Sequence, residues 1–240
     1  MVTITFLMKM VIVMADVKSY PLVRIKMSYK QIIFIRHGQQ NSKLCNVDVP
    51  LSDKGVAQAE LLKERLSKEE PFDSFYTSVL SRAVETGDII NQALKMDIIR
   101  RASLNEIDWG ILAGRSDDEM KALAPLFLRE RVFRLEDTPF PQGESGEQAY
   151  LRAVPVLKEI ATSSAKRILI VSHGGLIRAL ISGLLGLPFK DKLAFSSTLE
   201  NTSITEFRYN TETELYTLER LNDYAHLAQH PELLRANWKK

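Results

Sequence analysis

Two short apolar segments, far apart in the chain, each end in a histidine followed by a glycine. After Gln31, residues 32–35 are all apolar and continue into Arg36-His37-Gly38. After Arg167, residues 168–171 are likewise apolar and continue into Ser172-His173-Gly174. Apolar runs of this length, rich in β-branched residues, are typical of strands buried on both faces of a parallel sheet. Open α/β sheets bind ligands at the carboxyl ends of their strands, so both histidines would meet in one pocket if these strands are parallel and adjacent.

The rest of the hydrophobic pattern alternates between helical and strand-like periodicity. It predicts strands at 72–77, 96–100, 202–209 and 214–220, the last two as an edge hairpin, and helices at 78–94, 144–162 and 176–185. A further helix is predicted after Ser52 or Asp53, with apolar positions up to Leu66, in a stretch that Pro71 ends. Ser52 or Asp53 and then Ser78 are the expected N-terminal caps of the first two helices, and Pro155 fits into the third only with a kink. Strands that alternate with helices predict an α/β fold of three layers, in which helices flank a mostly parallel central sheet.

The chain has the size and composition of one domain. Its 240 residues are 45% hydrophobic and 26% charged, which is an ordinary globular composition. We expect a single domain over residues 30–228, with a small helical insertion at about 111–142 that breaks near Pro125. Residues 229–240 are expected to form a C-terminal tail outside the core.

Residues 1–29 are expected to be an N-terminal extension that does not belong to the core. Residues 1–14 are apolar and rich in methionine, but Lys9 interrupts them and the run is too short to span a bilayer. A signal peptide carries its positive charge ahead of the apolar run. The alternatives are a membrane-associating tail, an imperfect signal, or an upstream extension of a gene whose functional start is Met27, and we favour the last.

Charge and cysteine content exclude some classes of function. The formal net charge of +2 provides no large basic field for nucleic acid, and no segment is long enough to predict a membrane span. Cys45 is the only cysteine, so no intrachain disulfide can form, and a reducing, cytoplasmic location is expected. Leu51 stands where a thiol phosphatase would need an arginine six residues after its cysteine, so Cys45 is a poor candidate nucleophile.

Further polar side chains follow the other predicted strands. Arg82 lies in the first turns of the helix after the strand at 72–77, and Glu106 lies in an irregular segment after the strand at 96–100. Taken alone, Arg82 and Glu106 would each be interpreted as ordinary side chains exposed to solvent. Because the ends of parallel strands share one edge of a sheet, we expect them to join the two histidines and Arg36 in one site.

Phosphoryl transfer is the chemistry that this set of residues fits. Guanidinium groups match phosphate oxygens and keep their charge, and backbone N–H groups after Gly174, at a helix start, can add donors for an anion. A neutral imidazole is a competent nucleophile toward phosphorus, and nearby positive charge disfavours its protonation. Glu106 is the acid expected at this edge to protonate the leaving oxygen, with Asp108 and Glu144 as competing candidates.

Two other functions could use the same residues, one catalytic and one not. A metal hydrolase would use His37, His173 and Glu106 as ligands, but the flanking arginines would repel the cation. A non-catalytic module would keep the pocket only to recognise phosphorylated partners. Every residue type that catalysis requires is present in the chain, which argues against a module of this kind.

The segment Arg36-His37-Gly38 resembles the signature of the histidine phosphatase superfamily, also called phosphoglycerate mutase-like. The similarity continues in family order with Leu51-Ser52-Asp53-Lys54-Gly55, Ser78-Val79-Leu80-Ser81-Arg82, Leu104-Asn105-Glu106, Gly143-Glu144-Ser145, Val171-Ser172-His173-Gly174 and Asn201-Thr202-Ser203. It covers about residues 30 to 227, and the ordered set of motifs is far more specific than the first tripeptide alone.

The resemblance implies a phosphohistidine intermediate on His37. Arg36, Arg82 and His173 would form the phosphate pocket, and Glu106 would be the proton donor and later the base that activates water. No metal and no cofactor are implied. The insertion would lie over this active site.

One loop departs from the family pattern. Family members often carry Glu-Thr or Glu-Ser directly after Arg-His-Gly and an asparagine five residues after the glycine, whereas this chain has Gln39, Gln40 and Lys43 at those positions. Asn41 is our candidate for the missing phosphate contact, and Asn46 is the other nearby asparagine. Gly174 is also expected to bind the substrate.

The sequence therefore predicts a cofactor-independent phosphomonoester hydrolase. A mutase that returns the phosphoryl group to a sugar acid is the alternative within the same family. The insertion between Trp109 and Gly143 is short for a mutase of this family, which favours hydrolysis. The expected partner is a small phosphorylated substrate, without nucleic acid or membrane, and association into a homo-oligomer stays open.

Overall fold

The computed structural model describes residues 28–196 and 198–235. The predictions for residues 1–27, including a functional start at Met27, lie outside this part of the chain. Within the described ranges, every helix is too short or too polar to cross a lipid bilayer.

One six-stranded sheet forms the centre of the fold. Its strands are β1 (Tyr29–Arg36), β2 (Ser74–Thr77), β3 (Ile98–Arg100), β4 (Arg167–Ser172), β5 (Ile204–Asn210) and β6 (Tyr216–Asp223). They are ordered β3-β2-β4-β1-β5-β6. The first four pair in parallel, whereas β5 and β6 are antiparallel and close one edge as the predicted hairpin. The prediction of a mostly parallel sheet is confirmed.

Strands β1 and β4 are direct parallel neighbours, as the pairing of the two histidine segments requires. Their register opposes Ile32 to Ile168 and ends with Arg36 opposite Ser172. The residue that follows each of these ends is a histidine. The register therefore delivers His37 and His173 side by side at the carboxyl edge of the sheet.

Helices cover both faces of the sheet and explain why its central strands are apolar throughout. The helices are α1 (Asp53–Leu66), α2 (Ser81–Leu94), α3 (Asp117–Leu123), α4 (Pro125–Phe133), α5 (Gly146–Thr162) and α6 (Gly174–Leu184). Ile32 and Phe34 of β1 belong to a core shared with α5 and α6, whereas Ile33 and Ile35 belong to a second core shared with α1 and α2. Successive strand residues face opposite sides, so a strand between two helical layers needs apolar residues at every position.

The helix starts agree with the sequence at α1 and differ at α2 and α6. The Ser52 side chain caps α1 as expected by accepting a hydrogen bond from the Gly55 N–H. The α2 helix begins at Ser81 without a side-chain cap, so the prediction that Ser78 is its cap is wrong. The hydroxyl of Ser78 instead lies 2.7 Å from a ring nitrogen of His173. The α6 helix begins at Gly174, two residues before the predicted start at Leu176.

The insertion and the C-terminal segment both have defined positions. The insertion contains α3 and α4, with the expected break at Ala124, whose backbone leaves the helical region directly before Pro125. The described part of the predicted tail contains a 3-10 helix at Pro231–Leu233 and contacts α1. Lys54 Nζ donates to the Leu234 carbonyl at 2.8 Å, so the tail returns to the carboxyl edge of the sheet.

Candidate active site

His37 and His173 lie together at the end of β1 and β4. Their ring centroids are 5.0 Å apart, and both side chains are buried. Arg82, from the first turn of α2, donates from Nε to His37 Nε2 at 3.2 Å. The structure thus brings together three of the residues that the sequence predicts for one site.

The hydrogen bonds of His37 identify the ring nitrogen that carries the lone pair. Nδ1 lies 2.6 Å from the Gly38 carbonyl oxygen, which only accepts, so we assign the ring proton to Nδ1. Nε2 accepts from Arg82 and therefore carries the lone pair. Burial, followed by the charges of Arg82 and Arg36, lowers the pKa of His37 well below its usual 6.5. His37 is therefore a neutral imidazole whose Nε2 can act as a nucleophile near neutral pH.

The backbone around His37 is held from both sides. The Asn201 side chain donates to the His37 carbonyl at 2.9 Å, and the Gly38 N–H donates to the Thr86 hydroxyl at 3.0 Å. Both contacts are made to the single peptide unit that joins His37 to Gly38, which they fix directly after the imidazole. A nucleophile whose backbone is held by hydrogen bonds in this way needs little reorganisation before it reacts.

His173 presents a nitrogen without a protein partner. The Ser78 hydroxyl accepts from the Leu80 N–H at 3.3 Å and lies 2.7 Å from His173 Nε2, and we assign the hydroxyl as the donor in the second contact. Burial, followed by the nearby His37 ring and the charge of Arg82, lowers the pKa of His173 well below 6.5, so the ring is neutral. The proton then belongs on Nδ1, which is buried and has no hydrogen bond in the described part of the chain.

Two more unpaired donors lie beside this ring. Arg36 Nε is buried without a partner among the described residues, and the Gly174 N–H, at the start of α6, makes no hydrogen bond to them either. A Cβ atom added at Gly174 would lie 3.3 Å from Arg36 Nε, so these two donors are close together. Buried donors are nearly always paired, and an unpaired group of them at a helix start fits an anion such as phosphate.

The two arginines supply fixed positive charge. Arg36 donates from Nη1 to the Leu199 carbonyl, and Arg82 donates from Nη1 to the Val47 carbonyl at 2.7 Å. Burial, and then the charge of Arg235, lowers the pKa of Arg36 to about 9, and burial also lowers the pKa of Arg82. Arg36 still carries its charge at neutral pH.

Glu106 lies at the N-terminus of α6, beside the unpaired donors. Its carboxylate accepts from the backbone N–H groups of Ile107 at 2.9 Å, Leu176 at 3.0 Å and Gly175 at 3.1 Å. We expected the N–H groups after Gly174 to bind the anion of the substrate, but those of Gly175 and Leu176 bind Glu106. A side chain at Gly175 would collide with this carboxylate, so the glycine permits its approach.

Asp108 and Glu144, the alternatives to Glu106 as proton donor, are hydrogen-bonded to other groups. Arg152 donates to Glu144 at 2.7 and 2.9 Å, and although burial raises the pKa of Glu144, this arginine and the Asp108 N–H bring it below its usual value. Asp108 accepts from the Gly110 N–H at 2.9 Å and so closes a local turn. Both acids line an open cavity of about 430 Å³ together with Arg82 and Glu106.

The structure does not place Asn41 in this cavity. Asn41 is exposed, and its backbone N–H donates to the Pro50 carbonyl at 2.8 Å. Asn46 does line the cavity, but its side-chain amide donates to the Ile107 carbonyl at 2.7 Å and thereby joins this loop to the segment of Glu106. A role for Asn41 in substrate binding stays a prediction.

Three residues of the site were missed by reasoning from the sequence. The sequence predicts Ser78 as a helix cap and assigns no role to Arg178 and Arg235, yet the charge of Arg235 adds to the effect of burial in lowering the pKa values of Arg36, Arg178 and His37. The place of Ser78 in the site could have been predicted, because this residue directly follows β2 and so lies at the same edge of the sheet as the histidines. The position of Arg235 could not have been predicted, since it lies in a segment without hydrophobic periodicity.

Comparison with known proteins matches most of the chain to one family. The profile described as histidine phosphatase superfamily (branch 1) matches residues 32–224. The phosphoglycerate mutase-like protein 4 of Arabidopsis thaliana is 30% identical over 209 residues, which cover 84% of this chain and 88% of that protein. A probable phosphoglycerate mutase of Proteus mirabilis is 31% identical over 212 residues, covering 82% of this chain and 94% of that protein.

Solved structures show the same fold. The mycobacterial glucosyl-3-phosphoglycerate phosphatase in complex with inorganic phosphate has a TM-score of 0.74 and 27% identity, and the match covers 82% of this chain and 99% of that one. Phosphoserine phosphatase from Entamoeba histolytica, solved with 3-phosphoglyceric acid, has a TM-score of 0.70 at 24% identity, with 82% and 99% coverage, and is similar in fold.

The charges around His37 generate a prediction about pH. Nitrogen-15 NMR of the imidazole groups should show His37 and His173 neutral at pH 6, because burial and the adjacent arginines depress both pKa values below 6.5. Replacing Arg82 with glutamine removes the largest charged contributor at His37 and should raise its pKa. A His37 ring in the wild type that is half protonated near pH 6.5 would contradict this electrostatic description.

Proposed function

The chain belongs to the histidine phosphatase superfamily, and on that premise we propose that it hydrolyses phosphomonoesters through a phosphohistidine on His37. The observation that supports this most is the group of unpaired donors on Arg36, His173 and Gly174 next to the lone pair of His37 Nε2. Such a group is matched to the oxygens of a phosphoryl group, which would supply all the missing hydrogen bonds.

In the first step, the lone pair of His37 Nε2 forms a bond to phosphorus while the bond from phosphorus to the ester oxygen breaks. Glu106, in its protonated form, gives its proton to the leaving oxygen. Arg36, Arg82 and the donors at His173 and Gly174 stabilise the negative charge on the remaining phosphoryl oxygens. The proton on His37 Nδ1 stays bonded to the Gly38 carbonyl throughout.

In the second step, water attacks the phosphorus atom and Glu106 accepts a proton from it. The bond between phosphorus and Nε2 breaks, and the electron pair returns to the neutral imidazole. Glu106 thus acts first as an acid and then as a base, and both steps need it on the same side of the phosphoryl group. The N–H groups of Gly175 and Leu176 hold its carboxylate at the start of α6, one residue after the Gly174 N–H, and so support its placement beside the expected phosphoryl group.

Phosphoryl transfer within a sugar acid is the second candidate function. It is supported by the names of two relatives, one a phosphoglycerate mutase-like protein and the other a probable phosphoglycerate mutase. Hydrolysis is supported by the short insertion, in which α3 has 7 residues and α4 has 9, and by the phosphatase among the solved structures. A mutase must shield its phosphoenzyme from water, and these two helices leave a cavity that is open to solvent.

The nucleophile is tested by turnover in excess chelator. We expect the wild type to release p-nitrophenol from p-nitrophenyl phosphate and inorganic phosphate from 3-phosphoglycerate, and His37→Ala to lose at least 1,000-fold in kcat, on the order found when a nucleophile is removed. His230→Ala, at an exposed ring outside the site, is the matched control.

Three outcomes would count against this proposal. Equal rates for wild type and His37→Ala would remove His37 as the nucleophile. Conversion of 3-phosphoglycerate into 2-phosphoglycerate, without release of inorganic phosphate, would establish the mutase alternative. Activity that is lost in chelator and restored by zinc would point to the metal hydrolase instead.

The role of Glu106 is tested by comparing leaving groups. Glu106→Gln should slow hydrolysis of glycerol 3-phosphate at least tenfold more than hydrolysis of p-nitrophenyl phosphate, whose leaving oxygen needs little protonation. Glu144→Gln is the control and should change both rates by the same factor, because this acid is paired with Arg152. If Glu106→Gln slows both esters equally, Glu106 is not the proton donor.

A further inference from the structure

Glu106 lies in a loop that has little regular structure. The loop follows β3, contains one turn of 3-10 helix at Ala102–Leu104, and continues to Asp108. The carbonyl oxygens of Ser103, Asn105 and Glu106 accept no hydrogen bond from a backbone N–H of the described residues. Carbonyl groups that are partly shielded from water need a donor elsewhere in the fold. The position of Glu106 therefore depends on contacts from outside the loop.

One side chain, that of Arg152 in α5, supplies these donors. Its Nη1 donates to the Ser103 carbonyl at 2.8 Å and also reaches the Ala102 carbonyl at 3.4 Å. Its Nη2 donates to the carbonyls of Asn105 and Glu106, each at 3.2 Å. A guanidinium group is planar and presents its donors in a fixed fork, so it can hold several carbonyl oxygens in one arrangement. Arg152 thus binds the backbone on which Glu106 stands.

The remaining donors of Arg152 are occupied by Glu144. Nε donates to Glu144 Oε1 at 2.7 Å, and Nη2 donates to Oε2 at 2.9 Å. The pair is partly shielded from solvent, with side-chain exposures of 26% and 22%. Although Arg152 lines the same cavity as Glu106, all three of its nitrogen atoms therefore donate to protein oxygens. Its contacts indicate a role that acts through the loop and not through binding of the substrate.

The side chain of Glu106 is held from a second helix. Its carboxylate accepts from the N–H groups of Gly175 and Leu176 in α6, whereas its carbonyl is bound from α5. Buried residues of both helices belong to one hydrophobic core. Arg152 thus fixes the backbone from which the carboxylate reaches α6. A displacement of about 1 Å can lower a rate on the order of 100-fold, so this backbone contact bears directly on proton transfer.

We propose that Arg152 is a positioning residue for the reaction, which holds Glu106 where it can give its proton to the leaving oxygen. This inference rests on the proposed function, in which Glu106 is the proton donor. The observation that carries it is the convergence of three carbonyl oxygens around Glu106 on a single guanidinium group. Lysine and glutamine side chains lack this fork of donors, so either substitution of Arg152 should release the loop.

The test compares two esters whose leaving groups differ in their need for a proton. Arg152→Gln should lower kcat/KM for glycerol 3-phosphate roughly 10-fold more than for p-nitrophenyl phosphate, because only the first leaving oxygen needs protonation. In an enzyme that already carries Glu106→Gln, adding Arg152→Gln should not change the ratio of the two rates further, since the proton donor is already missing. Arg152→Lys keeps the charge without the fork, so its ratio should lie between those of the wild type and Arg152→Gln.

Arg101→Gln is the matched control. Arg101 directly precedes the same 3-10 helix and is paired with Glu159 of α5 at 2.9 Å. The variant removes the same charge and another link between the loop and α5, but none of the carbonyl contacts around Glu106, so it should keep the wild-type ratio. Equal slowing of both esters by Arg152→Gln would overturn the inference and would show a purely structural role. An equal change of the ratio in Arg101→Gln would overturn it as well.

NMR of the enzyme without substrate separates this inference from the proposed function. The amide signals of Gly175 and Leu176 report where the Glu106 carboxylate lies, because both N–H groups donate to it. Arg152→Gln should shift both signals, whereas Arg101→Gln should leave them in place. If the wild type hydrolyses neither ester, the proposed function fails and these shifts still test the positioning.

Unchanged signals of Gly175 and Leu176 in Arg152→Gln would overturn the inference at any level of activity. If Arg152→Gln does not fold, Arg152→Lys takes its place in both experiments. Wild-type amide signals together with a wild-type ratio of the two rates in Arg152→Lys would then overturn the inference.

Discussion

The parallel pairing of β1 with β4 is the constraint on which the rest of the structure depends. Its register places Arg36 opposite Ser172, and each strand then ends at a histidine. A shift by one residue would turn the side chains of β1 to the other face and would separate the two rings. The apolar residues along both strands, buried between two helical layers, hold this register, so the core determines the geometry of the site.

The site combines groups that are unfavourable when buried. Two neutral imidazoles lie among guanidinium groups, and donors on Arg36 and His173 have no partner among the described residues. Unpaired buried donors destabilise the fold by about 1–3 kcal/mol each. A bound phosphoryl group would restore these hydrogen bonds, so the arrangement destabilises the empty site and favours the occupied one. Burial, together with the same cations, lowers the pKa of His37, so in the proposed mechanism the groups that bind the anion also help to keep the nucleophile unprotonated.

The sequence predicted the fold well because its strongest signals are local. The apolar runs of β1 and β4, the Ser52 cap and the break at Pro125 all depend on neighbouring residues. The histidines could also be placed, since each directly follows a strand. Where the expectations were wrong or incomplete, a contact between distant segments was responsible.

Four residues illustrate such contacts. Ser78 has the residue type of a helix cap but bonds to His173, 95 positions away. The N–H groups of Gly175 and Leu176 bind Glu106, which arrives from a loop whose path cannot be read from periodicity. The backbone N–H of Arg235, in a segment without hydrophobic periodicity, donates to the carboxylate of Glu200, 35 positions earlier in the chain. Side-chain direction and long-range pairing set these contacts, and neither is encoded in spacing along the chain.

The most direct measurement of the central claim is rapid-quench mass spectrometry of the enzyme mixed with p-nitrophenyl phosphate, under an alkaline quench that preserves phosphohistidine. The mechanism predicts that a phosphoryl group appears within the first turnover on the peptide that contains His37. A phosphoryl group on any other residue, or turnover without a phosphorylated enzyme, would contradict it.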